Sequence, residues 1–261
     1  MPFIHSTALI DSRVEIGEGT TIGPFAVIEC GAKIGSNCNI GPMVHIKGNV
    51  EIGDNCKIFT GAVIGNPPQD LKYKGEISFV KIGKNNTIRE FVTINAATGE
   101  NQSTLIGDNN LLMAYVHVAH NCVIGNNCII ANAATIAGHV VIDDFAIIGG
   151  LVGIHQFSKI GKHSITGGCS KITKDILPFI MADGHPARPH GINVIGLKRR
   201  NFSKEVIIAL EEAYRIVFRK NLTSQQAIEE LKASRLSEIS EVGEIIRFLE
   251  ASERGIARER D

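Results

Sequence analysis

The stretch "VAHNCVIGNNCIIANAATIAGHVVIDDFAII", residues 118–148, has an aliphatic residue at every sixth position: Val118, Ile124, Ile130, Ile136, Ile142 and Ile148. A helix cannot use that step. Six residues rotate a helical position by about 240°, which leaves no single apolar stripe. A second phase lies two residues earlier, where Cys122, Cys128, Ala134 and Ala146 are all small. Two inward positions two apart describe a very short strand. Gly125 and Asn127 tolerate positive φ, so a corner follows the strand.

The pattern runs far beyond this stretch. From Ile4 to Ile172 every sixth residue is aliphatic except Asp70, Glu76, Glu100 and Thr166. The small phase continues through Ala8, Val14, Ala26, Ala32, Cys38, Val44, Val50, Cys56 and Ala62, and the turn pair recurs as Gly35/Asn37, Gly53/Asn55, Gly83/Asn85 and Gly107/Asn109. Short strand, corner, short strand, corner is a β-solenoid. Four of the six cysteines occupy the small inward phase, as compact core filler. Charges at 70, 76 and 100 would be costly inside. Residues 66–79 and 97–103 therefore read as loops leaving the scaffold, and long loops on a regular scaffold tend to carry function.

After about Pro186 the period changes. "NFSKEVIIALEEAYRIVFRK" (201–220) has Ser203 as an N-cap and apolar residues at helical spacing. "TSQQAIEELKAS" (223–234) opens with a Thr223–Gln226 capping box, and "SEVGEIIRFLEASERG" (240–255) ends on Gly255 as a C′ residue. The fold class is thus mainly β with an α tail: a parallel β-helix over 1–187 and three helices over 188–261 that cap the open end of the solenoid.

Composition narrows the function classes. The 261 residues carry no net charge, against the basic excess of a nucleic-acid binder. No apolar run approaches a membrane span, and Met1 to Thr7 lacks the features of a signal peptide. The six cysteines show no CxxC, and reduced thiols in a cytoplasmic protein are expected. No cofactor is indicated.

The hexad motif resembles the hexapeptide-repeat family. Its prisms have three hexads per coil, so residues eighteen apart stack, and its coil is left-handed. His120 then stacks over Gly138 and Gly138 over Gln156, with His139 and His155 flanking and His117 just before the corner. Three chemistries suit such a column. A zinc site needs about three aimed ligands; no HExxH frame or carboxylate ligand is evident, so no metal is expected. A hydrolase triad needs a Ser or Cys beside the base, and the inward Cys122 and Cys128 are poor nucleophiles. A general base needs one placed His and an oxyanion donor, and the Gly138 N–H is open for that role.

"NPPQDLKY" (66–73), "HVAHNC" (117–122), "IAGH" (136–139), "GIHQF" (153–157), "GGCS" (167–170) and "GINVIGLKRR" (191–200) together resemble the acyl-(acyl-carrier-protein)–UDP-N-acetylglucosamine O-acyltransferase family, over nearly the whole chain. The resemblance implies the first step of lipid A biosynthesis. A 3-hydroxyacyl chain moves from acyl carrier protein to the 3-hydroxyl of UDP-N-acetylglucosamine, and the enzyme is a cytoplasmic homotrimer with sites between prisms. It implies His120 as general base and the Gly138 N–H as oxyanion donor. It implies Asp70, Lys72, His117, His139, His155 and Gln156 as substrate contacts, Asn193 and Arg200 at the nucleotide end, and Gly168 as the acyl-length ruler.

Asn121 stands beside the base where many members carry Asp. His163 matches no family role and is expected at the surface. Arg215, Arg219 and Lys220 would meet the acidic carrier protein or form a solvated helix face. Alternatives are the later N-acyltransferase of the same pathway, a zinc carbonic anhydrase on the same coil, and a non-catalytic binding solenoid.

Overall fold

The computed structural model describes residues 1–258. Its strands form three parallel sheets, the faces of a triangular prism. The first face runs from Phe3–Ile4 to Ile180–Gly184 and closes with the antiparallel Ala187–Ile192. The second runs from Leu9–Ile10 to Lys171–Ile172, and the third from Glu15–Ile16 to Lys159–Ile160. Thr21 pairs with Asn39 and Asn39 with Lys57, eighteen residues per coil. Lys57 then faces Thr87, and Thr87 faces Leu111. The longer steps are still multiples of six, so the inward phase survives each interruption.

The inward isoleucines make the core. Ile22, Ile40, Ile58, Ile88, Ile130 and Ile148 are at most 1% exposed. Burying each such side chain stabilises by about 1.5–3 kcal/mol. Cys38, Cys56, Cys122 and Cys128 are buried in the small phase. Thr166, the neutral exception to the aliphatic period, is also buried, and its Oγ1 accepts the Gly149 N–H at 3.2 Å.

The charged exceptions leave the prism at the corner between the second and third faces. There all three carboxylates accept loop N–H groups. Asp70 Oδ1 takes Lys72 N at 2.9 Å, Glu76 Oε1 takes Gly99 N at 2.9 Å, and Glu100 Oε2 takes Ile77 N at 3.2 Å. The two loops are therefore tied to each other across that corner.

The tail holds four α-helices among the described residues: α1 (Val194–Arg199), α2 (Lys204–Arg219), α3 (Ser224–Ala233) and α4 (Ser240–Ala251). Ser203 caps α2, and Thr223 and Gln226 form the capping box of α3, as the sequence indicates. Two expectations need correction. Helix α1 precedes Ser203, too short to show a period. Helix α4 ends at Ala251, so Gly255 is not its C′ residue. Gly255 has φ +73° and its carbonyl receives Asp175 N, which brings the tail back onto the last coil. Asp175, buried, completes that seam through Lys159 N at 2.8 Å and Ser252 Oγ at 2.7 Å. No helix among the described residues is long and apolar enough to cross a membrane.

Ile136 and Thr135 offer a direct test, since they are neighbours pointing to opposite sides of one strand. Ile136→Ala should cost about 2–5 kcal/mol, and Thr135→Ala at most about 0.5 kcal/mol, read from the shift in denaturant midpoint.

Candidate active site

His120 sits on the corner that carries both loops. Stacking at this corner follows the backbone: His139 N donates to His120 O, and Phe157 N to Gly138 O. Three consecutive coils thus bring His120, Gly138, His139, His155 and Gln156 to one edge.

The orientation of the His120 ring is decided by its neighbour. Thr98 N donates to Asn121 Oδ1 at 2.9 Å, and Asn121 Nδ2 donates to Thr98 O at 3.1 Å. A backbone N–H and C=O fix which end of the amide is oxygen. That oxygen lies 2.9 Å from His120 Nδ1. Nδ1 must carry a proton to bond it, so in the neutral ring Nε2 holds the lone pair. Sequence reasoning saw Asn121 as a departure but missed this staple to the second loop. The partner, Thr98, lies inside the inserted loop, where the period gives no register.

The other side of the ring is equally constrained. A Cβ on Gly138 would lie 2.5 Å from both His120 Cε1 and Nε2. Gly138 has no positive φ; the glycine is required by the close approach of the ring to the backbone. Among the described residues nothing accepts the Gly138 N–H. Asp70 Oδ2 is 3.8 Å from His120 Nε2, beyond hydrogen-bond reach. His139 meets His120 edge-on at 5.2 Å and stacks on Phe157 at 4.7 Å. His117 Nδ1 lies 2.7 Å from Thr93 Oγ1. Burial first, and then the charge of His120, lowers the pKa of both His117 and His139. His120 is therefore flanked by two imidazoles, His117 and His139, that resist protonation. Lys72 is exposed near His139, and His155 and Gln156 are exposed, His155 Nδ1 lying 3.0 Å from the Gln156 carbonyl.

Cys122 donates its thiol to Ala137 O at 3.1 Å, and burial pushes it up to about 12. Cys128 is likewise pushed up to about 12. Neither supplies a thiolate at neutral pH. Among the described residues no three His, Cys, Asp or Glu side chains are grouped to hold a metal ion.

The remaining residues singled out lie at the other two corners of the same chain. Asn193 caps α1: its Oδ1 accepts Gly196 N at 3.1 Å and its Nδ2 donates to His163 O at 3.0 Å, at the corner between the third and first faces. Arg200, the C-cap of α1, lies over Phe145 at that corner, 4.3 Å from the ring centroid. Gly168 is exposed at the corner between the first and second faces, where a Cβ would meet only Gly150 O at 3.4 Å. One chain therefore presents the His120 imidazole, the Arg200 guanidinium and the Gly168 notch at three separate edges.

His163 contradicts its surface assignment. It is 6% exposed, stacked between Phe145 at 4.7 Å and Phe179 at 5.7 Å. Nothing in the sequence signalled this burial: His163 occupies the corner phase held on earlier coils by Asn37, Asn55, Asn85 and Asn109, all exposed.

A family model described as UDP-N-acetylglucosamine O-acyltransferase, domain 2, matches residues 175–257, and a bacterial transferase hexapeptide model matches 31–66 and 103–138. The acyl-(acyl-carrier-protein)–UDP-N-acetylglucosamine O-acyltransferase of Thiobacillus denitrificans is 50% identical over 259 residues, 99% of this chain and 100% of that protein. The protein of the same name from Paraburkholderia phymatum is 48% identical over 262 residues, with 99% and 100% covered. Among solved structures, LpxA from Acinetobacter baumannii superposes with a TM-score of 0.96 at 44% identity, covering 98% of this chain and 100% of its own. The UDP-N-acetylglucosamine acyltransferase of Francisella novicida gives 0.96 at 39% identity, covering 99% and 95%.

Burial of His163, followed by the nearby Arg200 and Lys162 charges, lowers its pKa to about 4. The unfolded chain, near 6.5, takes up that proton first. Stability is full above about 6.5 and is lost as pH falls toward 4. The shifts of His117 and His139 act in the same direction. His163→Phe should remove one residue's share, so the variant should gain on the parent protein as pH falls through this window. Urea titrations from pH 7 to 4.5 would show it; a constant difference would contradict the assignment.

Proposed function

The chain belongs to the acyl-(acyl-carrier-protein)–UDP-N-acetylglucosamine O-acyltransferase family and is an acyltransferase, and we propose that His120 is the general base of its reaction. The substrates are a 3-hydroxyacyl chain on acyl carrier protein and UDP-N-acetylglucosamine, in the first step of lipid A biosynthesis. The observation that carries the assignment is the Nδ1-protonated His120, clamped by Asn121 and laid against the Gly138 backbone.

The steps follow from that geometry. His120 Nε2 takes the proton of the glucosamine 3-hydroxyl as its oxygen attacks the thioester carbonyl. The carbonyl oxygen becomes an oxyanion, which the Gly138 N–H stabilises. Asp70 balances the imidazolium across the 3.8 Å gap. The intermediate collapses, the carbon–sulfur bond breaks, and the imidazolium returns its proton to the carrier-protein thiolate. Lys72, His117, His139, His155 and Gln156 line the substrate around this point. In this assignment Arg200 meets the nucleotide diphosphate, Asn193 holds the helix that presents it, and Gly168 sets acyl length.

The separation of these groups over three corners supports a homotrimer. The first face lies between the Arg200 and Gly168 corners. Its outward row is polar on the early coils, at Thr21, Asn39, Lys57 and Thr87, and apolar from Leu111 onward, through Ile129, Ile147, Ile165 and the 40% exposed Met181. A neighbouring prism laying its His120 corner against this face would set the base between cation and notch, over a surface fit for an acyl chain. Phe25, Met43, Phe91, Tyr115 and Leu151, 47–65% exposed along one edge, give the copies an apolar ridge to cover. Threefold closure uses each surface once. A left-handed coil and a cytoplasmic setting belong to the same proposal and rest on the family likeness.

Mass spectrometry with purified 3-hydroxyacyl carrier-protein thioesters and UDP-N-acetylglucosamine should show the mono-acylated sugar nucleotide. His120→Ala should lower kcat by about 10²–10⁴ while the protein stays folded. Undiminished turnover in that variant would refute the base. Chains carrying His120→Ala, low in kcat, and chains carrying Arg200→Ala, raised in KM, should regain part of the lost activity at low UDP-N-acetylglucosamine when mixed and reassembled. A trimer without any regained activity would refute shared sites, and a fully active monomer would refute the assembly.

A further inference from the structure

One column of the prism changes character at the tail. The corner between the third and first faces needs a left-handed backbone residue on each coil. Asn37, Asn55, Asn85, Asn109 and Asn127 supply it, and the column then continues as Phe145, His163 and Phe179, all at positive φ. Asn adopts this conformation readily, whereas other side chains are uncommon there and the strain costs on the order of 1 kcal/mol or more. Rings take the same conformation at the other corners, as at Phe25, Phe91, Tyr115 and Phe157, but in this column they appear only on the coils where residues 193–202 dock.

His163 is the middle ring and the point of attachment. It lies parallel to Phe145, 4.7 Å between centroids with a 1° interplanar angle, and Phe202 meets it edge-on at 5.1 Å. Its carbonyl receives Asn193 Nδ2, the cap that starts α1, and the C-cap of that helix is Arg200. The Arg200 guanidinium in turn lies on Phe145. Both ends of the six-residue helix are thus referenced to this residue, one through its backbone and one through the ring it packs.

We propose that His163 is a positioning residue that holds Phe145 as the platform on which Arg200 is laid toward the nucleotide diphosphate. This rests on the assignment of Arg200 to the phosphate end. Its buried Nδ1 has no partner among the described residues, so the stack uses the ring as a flat surface. A phenyl group should serve as well.

The test is steady-state kinetics at neutral pH with UDP-N-acetylglucosamine varied. His163→Ala should raise KM roughly 5- to 10-fold, the scale of a lost cation–π contact, with kcat within about twofold, and His163→Phe should restore KM. In an Arg200→Ala background, itself raised in KM, His163→Ala should add nothing, because the two act through one contact. Should His163→Ala fail to fold, Phe145→Leu tests the same platform and should raise KM by a similar factor. An unchanged KM in both His163→Ala and Phe145→Leu, or a full multiplicative effect on top of Arg200→Ala, overturns the inference alone. An unchanged KM in Arg200→Ala overturns the phosphate assignment and the inference with it.

Discussion

Everything in this molecule hangs on the distance between coils, about 4.8 Å across a hydrogen-bonded ladder. Each strand is only long enough for one or two inward side chains, so no single coil has a core of its own. The isoleucine of one coil packs on the isoleucine eighteen residues away, and the ladder supplies the rest. A spacing so short and regular turns sequence phase into position: a residue's place among the hexads states which corner it occupies and what lies above it. It also makes contact distances severe. The His120 ring reaches its place against the next coil only because residue 138 has no side chain.

The chemistry gathers where the period is broken. Two insertions leave at the same corner, and the three carboxylates that would be intolerable in the core become acceptors for loop N–H groups. The second loop reaches back through Thr98 to Asn121, which orients the His120 ring. A neutral amide in that position fixes the ring as well as a carboxylate would, and the carboxylate that faces the other ring nitrogen comes from the first loop. With His120 as the proposed base, the orienting group and the counter-charge, combined in one side chain in a Ser-His-Asp arrangement, would be divided between Asn121 and Asp70.

Far from the base, the same corner geometry is used differently. Asn fills the left-handed position on five coils, and aromatic rings replace it where residues 193–202 are seated. The tail is then more than a cover for the open end. It is registered to the prism by Asn193, Asp175 and the Gly255 carbonyl, and Arg200 emerges from that seating.

The sequence by itself determined that the chain is a solenoid of short strands, because a six-residue period leaves a helix no apolar stripe and the charges at Asp70, Glu76 and Glu100 had to leave the core; three hexads per coil came from the family likeness. It also determined the stacking of His120 over Gly138, since the strand ladder converts an eighteen-residue separation into direct contact. The capping of α2 and α3 was legible for the same local reason. Only the tertiary structure decided what depends on residues out of phase: the Thr98–Asn121 clamp that sets the His120 tautomer, the burial of His163, and the short helix α1. Loops and tail carry no period, so their contacts follow from where the chain returns in space. The corners of His120 and Gly168 followed from their hexad phase, whereas Arg200 reached its corner only in three dimensions, because the tail carries no such phase.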